Sequence, residues 1–114
     1  MTLELESLAV DCIIGDLPEE RTKAQRLIVD IRLEIDDAAA YSDSLADTVD
    51  YAALAAKVRK TLEDARCRML ERAAFLVATT CIAEPHVVEA AAKVSKRGAV
   101  PFLDAASATF SAKR

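Results

Sequence analysis

Residues 27–36 read LIVDIRLEID, and their alternation is nearly unbroken. Leu27, Val29, Ile31, Leu33 and Ile35 fall on one side of an extended chain, while Asp30, Arg32, Glu34 and Asp36 fall on the other. Side chains of a β-strand alternate between its two faces, so the segment predicts a strand with one face on the core and a charged, wet second face. The sheet it belongs to is therefore covered on one side only. Just upstream, LELESLAVDCII (residues 3–14) alternates as well, but its apolar phase slips near Ser7, from Leu3 and Leu5 to Leu8, Val10 and Cys12. A β-bulge produces such a slip. The two strands are joined by GDLPEERTKA, where Gly15 and Pro18 punctuate a turn long enough to carry functional groups.

Downstream of the polar stretch DDAAAYSDSLADT the period changes to that of a helix. Tyr51, Leu54, Ala55, Val58 and Leu62 form one stripe, Lys57, Arg59, Lys60 and Asp64 lie opposite, and Thr48 or Asp47 is placed to cap the start. A second helix is predicted from Met69 to Ile82, with Leu70, Ala73, Ala74, Val77 and Cys81 inward and Pro85 marking its end. VVEAAAKV then reads as a strand whose Val88, Ala90, Ala92 and Val94 share a face. Gly98 and Pro101 make a turn, and in the last run Ala106, Ala108, Phe110 and Ala112 oppose Ser107, Thr109, Ser111 and Lys113.

The order ββααββ predicts an α+β fold, a four-stranded antiparallel sheet with two helices on one face. Its charged face and two edges stay open, and open edges are templates for pairing with another copy. A ring of such sheets, edge to edge, closes into a barrel with a polar lumen and the helices outside, so a homo-oligomer is expected.

Composition narrows the function classes. The 114 residues fit one domain, 1–114. The formal net charge is -4 and no basic run is interleaved with aromatics, which disfavours nucleic acid as a partner. No apolar run approaches the roughly 18 residues of a membrane span, and MTLELESLAVD sets acids where a signal peptide needs bases and an unbroken apolar stretch. Cys12, Cys67 and Cys81 are odd in number and widely spaced, as reduced thiols in a cytoplasm would be. A single histidine, His86, cannot build a histidine-rich metal site, so no metal is expected.

Four side chains stand out. Period-two counting puts Lys96, in KVSKRGAV, on the apolar face of its strand; either the strand frays and the amine reaches water, or a polar pocket receives it. Glu71, in MLERAA, opens the second helix; it either complements the helix dipole or accepts two donors from a flat, guanidine-like heterocycle edge. Tyr51 is either a core aromatic or a proton donor to a ligand, and Glu20 lies beside Glu19 in the LPEER turn, where solvated charge is the default.

Together and in order, VDCIIGDLPEER, SDSLADTVDYAAL, MLERAA and KVSKRGAV resemble the sequence blocks of the dihydroneopterin aldolase family, a likeness covering residues 3 to 100. The resemblance implies the tunnelling fold, four-membered rings that stack into octamers, and active sites at subunit interfaces. It also implies a pterin substrate: 7,8-dihydroneopterin is cleaved by a retro-aldol reaction to 6-hydroxymethyl-7,8-dihydropterin and glycolaldehyde. The substrate's own N5=C6 imine is the electron sink, and no metal or organic cofactor takes part. By position, Glu71 matches the glutamate that holds the pterin 2-amino group and N3–H, and Lys96 the lysine that moves protons with water. Tyr51 matches a tyrosine contributed by the neighbouring subunit, Glu20 the glutamate beside the lysine, and Leu70 and Val49 supply pocket contacts.

Two stretches depart from the family. Arg97 stands where proline is common, and FLDAASATFSAKR resembles the sister branch, dihydroneopterin triphosphate 2'-epimerase, which recloses the same intermediate with inversion. In that alternative Arg97, Lys113 or Arg114 is available to a triphosphate. Zinc-dependent relatives of the same fold need a set of His and Cys ligands that is missing here. A catalytically silent oligomer that binds a pterin is the alternative of another class.

Overall fold

The computed structural model describes residues 1–114. Strand β1 (Thr2–Cys12) pairs with β2 (Gln25–Ile35); then come a short helix α1 (Ala38–Ser42), helices α2 (Tyr51–Ala65) and α3 (Leu70–Ile82), and strands β3 (Val87–Arg97) and β4 (Ala105–Lys113). All pairings are antiparallel and the sheet order is β1-β2-β3-β4. The expected α+β architecture is observed.

The alternation at 27–36 explains why β2 is central. Leu27, Val29, Ile31, Leu33 and Ile35 are all buried under the helices, while Arg32 on the other face is exposed. Burying an aliphatic side chain of this size contributes about 1.5–3 kcal/mol, so a one-residue slip of β2 would sacrifice the whole row. The bulge expected near Ser7 is present between Leu5 and Leu8. Ser7 takes a positive φ of 55°, and its N–H donates to Asp30 Oδ1 at 2.8 Å, so an acid of the neighbouring strand holds the irregular backbone.

The predicted face of β3 needs one correction. Ala90, Ala92, Val94 and Lys96 do share the inner face, but Val88 is 51% exposed and Val87 is buried in its place. The register shifts here, with Glu34 opposite Glu89 but Ile35 opposite Val87. The residue between is turned outward, and the phase reverses across it.

The start of α2 is a second correction. Asp50 is its N-cap, with Oδ1 accepting the Ala53 N–H at 3.1 Å. Thr48 and Asp47 cannot serve, because Leu45–Asp47 form a separate 3-10 turn capped by Ser44 and Thr48 remains extended. Leu54, Val58 and Leu62 are buried as the stripe requires, but Tyr51, on the first turn, is 60% exposed. In α3 the inward residues Ala73, Ala74, Val77, Ala78 and Cys81 are small, which lets the helix approach Ala90 and Ala92 of β3 closely. Helix α3 covers β3 and β4, while α2 packs on β1 and on α3. Phe75 of α3 meets Phe110 of β4 edge to face at 5.2 Å.

Two connections at one end of the molecule are tied together. Gly15 N–H donates to Cys67 O at 3.1 Å, and the Arg21 guanidinium donates to the carbonyls of Gly15, Cys67 and Arg66 at 2.9, 3.2 and 2.8 Å. Arg68 adds an ion pair to Asp16 at 2.8 Å. The β1–β2 connection is thereby docked against the start of α3.

Candidate active site

Lys96 is the one charged side chain in the buried set, at 9% exposure. It occupies the last inward position of β3, opposite Leu27 of β2. An ammonium group removed from water is costly unless a counter-charge and hydrogen bonds replace the solvent. Glu20 is that counter-charge: Lys96 Nζ donates to its Oε2. The amine neither frays outward nor stands alone.

The chain builds the seat for Glu20 locally. Pro18 fits the first turn of the 3-10 segment Pro18–Arg21, where Glu20 N–H donates to Leu17 O at 2.9 Å. The carboxylate folds back over Gly15, whose φ of +123° and bare Cα make room; a Cβ there would fall on the carboxylate itself. Oε1 accepts the Leu17 N–H at 3.3 Å, and Oε2 accepts the Gln25 Nε2–H at 3.1 Å beside the Lys96 ammonium. These donors draw the Glu20 pKa down to about 2, first through Lys96 and then through Gln25, against an opposing effect of burial that outweighs the further help of the Leu17 backbone. An ionised acid beside an amine in a sheltered corner is suited to holding and moving a proton.

Glu71 and Leu70 belong to the same end. They open α3 just after Cys67, whose carbonyl is bonded to Gly15 and Arg21; Glu71 stands exposed on the first turn and Leu70 is half-buried. Val49 and Tyr51 do not. They line a groove of about 300 Å³ with Leu3, Leu45, Thr48, Asp50 and Ala52 at the other end of α2. Leu3 pairs with Leu33 and Lys96 with Leu27, so the two ends are separated by six residues of β2, about 20 Å. One chain brings Lys96, Glu20, Glu71 and Leu70 to one end and leaves Tyr51 and Val49 at the other.

The sequence reading missed Gly15 and Gln25. Gln25 lies on the same phase as Leu27 and Val29, so period-two counting places its polar amide on the face that carries Lys96; that was the available signal. Of the charges considered for a triphosphate, Arg114 donates from its guanidinium to the carbonyls of Ile82, Glu84 and Pro85 at the end of α3, and Lys113 faces Glu89 at 3.9 Å. His86 faces Asp36 at 3.4 Å.

Comparisons with known proteins agree with this fold. The family model described as dihydroneopterin aldolase (FolB) matches residues 3–111. The dihydroneopterin aldolase of Escherichia coli is 38% identical over 97 residues, 84% of this chain and 80% of that protein. The crystal structure of the Escherichia coli aldolase in complex with neopterin superposes with a TM-score of 0.91 at 33% identity, covering 98% of each chain. A FolB structure from Vibrio cholerae gives a TM-score of 0.94 at 30% identity over 100% of this chain and 98% of that one.

Proposed function

This chain belongs to the dihydroneopterin aldolase family, and from that premise we propose that it cleaves 7,8-dihydroneopterin with the Lys96–Glu20 pair as its proton-transfer centre. The observation that carries the reading is the part-buried ion pair at the end of β3, its carboxylate packed against a glycine whose Cβ would collide with it. The related Escherichia coli structure holds neopterin, which supports a pterin as the ligand here.

In this reading Lys96, in its neutral amine form and with a water molecule, takes the proton from the side-chain hydroxyl as the C1'–C2' bond breaks. The bonding pair flows into the N5=C6 imine, Lys96 passes the proton to N5 and glycolaldehyde departs; the enol that remains gains a proton at C1', delivered or oriented by Tyr51, while Lys96 and water take the N5 proton back, restoring N5=C6 and the proton donor. Glu20 stays ionised beside the amine throughout. Glu71 accepts the 2-amino and N3–H donors, a bidentate contact that its charge strengthens, with Leu70 and Val49 against the ring.

The roughly 20 Å between Tyr51 and Lys96 supports a site completed between two copies. Successive chains joined through the open edges of β1 and β4 would form a tetrameric ring, or an octamer of two rings, in which Tyr51 of one copy approaches Lys96 of the next. For the triphosphate substrate of the epimerase alternative, Arg114 is taken up by the end of α3, while Arg97 is exposed next to Lys96 and free of ion pairs, so the assay below separates the two substrates. Three free, buried cysteines support a reducing compartment such as the cytoplasm.

The deciding assay offers purified protein both dihydroneopterin and its triphosphate and follows glycolaldehyde and epimer formation. Glycolaldehyde is expected from the free pterin. Lys96→Ala should lower kcat about 10²–10⁴-fold, the usual contribution of a positioned acid–base group, while pterin affinity changes little. Glu71→Ala should weaken binding first, because the pterin donors lose a charged acceptor. A folded wild type that releases no aldehyde defeats the reading.

A further inference from the structure

Gln25 spends both hydrogens of its amide at one point of the fold. Nε2 donates to Ile14 O at 2.8 Å and to Glu20 Oε2 at 3.1 Å, so its two acceptors determine which way the amide is turned. It starts β2 on the inner face, one inward step beyond Leu27, whose cross-strand partner is Lys96. The Glu20 carboxylate is thus gripped from three directions: by the backbone of its own turn, by β2 through Gln25 and by β3 through Lys96. Two of those donors keep their hydrogens under all conditions of turnover. The third, Lys96, is the group whose proton the reaction uses.

We propose that Gln25 is a positioning residue: it anchors the Glu20 carboxylate while the proton on Lys96 comes and goes, so that the amine returns to the same place in every cycle. The proposal rests on the proton-transfer role of Lys96 given above. When Lys96 is neutral, Oε2 loses its cationic partner, and without the Gln25 amide that oxygen is free to swing away from Gly15 into solvent. Ile14 O fixes the amide from the other side, so Gln25 cannot follow the carboxylate outward. A charge-neutral donor suits this task, since a second cation would compete with Lys96 for Glu20 and a carboxylate would repel it.

The test is Gln25→Met, which keeps length and apolar stem but removes the donor, together with Gln25→Glu. Three measurements are made on each: the pH dependence of kcat and KM for dihydroneopterin cleavage, the thermal midpoint, and the titration of the Glu20 carboxyl carbon by NMR. For Gln25→Met, kcat should fall about ten- to a hundredfold, the equivalent of one hydrogen bond to a charged group, with KM within about twofold. Its Glu20 titration midpoint and the acid limb of its rate profile should both move upward. Gln25→Glu should lose more activity at neutral pH and recover part of it on acidification, when one proton shared by the two carboxylates restores a donor. A Gln25→Met variant with wild-type kcat and an unmoved Glu20 midpoint overturns the proposal. So does a loss that merely tracks a fall in thermal midpoint with the midpoint of Glu20 unchanged. If the wild type itself releases no aldehyde, the aldolase reading fails, and the Glu20 titration still decides whether Gln25 holds the carboxylate.

Discussion

At the residue scale the informative feature is a charge placed where an apolar side chain belongs. Lys96 ends a row of Ala90, Ala92 and Val94, and it remains there because Glu20 replaces the water it has lost. The pair makes a prediction about acid stability. The Glu20 pKa is lowered in the folded chain to about 2 from an ordinary 4.5, so the folded state holds fewer protons than the unfolded one in between. The stabilisation is therefore complete above about pH 4.5 and drains away as the pH falls toward 2. The thermal midpoint of the wild type should drop through that window, and Glu20→Gln should remove part of the drop, starting from a lower midpoint at neutral pH. Parallel acid profiles for the two proteins would show that the ion pair contributes nothing to folding.

At the scale of elements, the helices depend on their ends as much as on their apolar stripes. Helix α2 is capped by Asp50, one residue before Tyr51, and α3 ends under the guanidinium of Arg114. Asp50→Ala should cost about 1 kcal/mol by loss of the cap and lower the thermal midpoint by several degrees. Because the cap also sets the direction in which Tyr51 leaves the helix, the same change should reduce cleavage more than it reduces pterin affinity. Unchanged stability would mean that solvent replaces the side-chain acceptor at no cost. The β-bulge at Ser7 and the phase reversal at Val88 show the opposite balance, in which a strand gives up regular pairing so that the remaining residues keep their faces.

At the scale of the whole molecule the separation of the candidate residues is the decisive observation. Lys96, Glu20 and Glu71 collect where the β1–β2 and α2–α3 connections are bonded together, and Tyr51 sits at the far end of α2. If the site forms between copies, two inactive variants can complement each other. Lys96→Ala and Tyr51→Phe chains, unfolded together and reassembled, should regain activity, because some seams then receive an intact lysine from one chain and an intact tyrosine from the other. The variants reassembled separately should remain slow. Absence of recovery in mixed particles of confirmed composition would overturn a site shared between copies.

Period alone, in LIVDIRLEID and its neighbours, determined the strands, the two main helices and the inward placement of Lys96, because burial of an alternating or helical stripe has one favourable solution for each spacing. The same counting, extended one step upstream, points Gln25 inward, a signal the sequence reading passed over because a lone polar residue at a strand start carries little meaning without its partners. The family resemblance already set Glu20 beside Lys96, but tertiary structure alone supplied the contact across seventy-six positions and decided that Gly15 is its seat and that Asp50 rather than Thr48 begins the helix. Such pairings arise from loops packed against one another. Local periodicity records which way a side chain faces, and only the folded arrangement of connections records what it meets there.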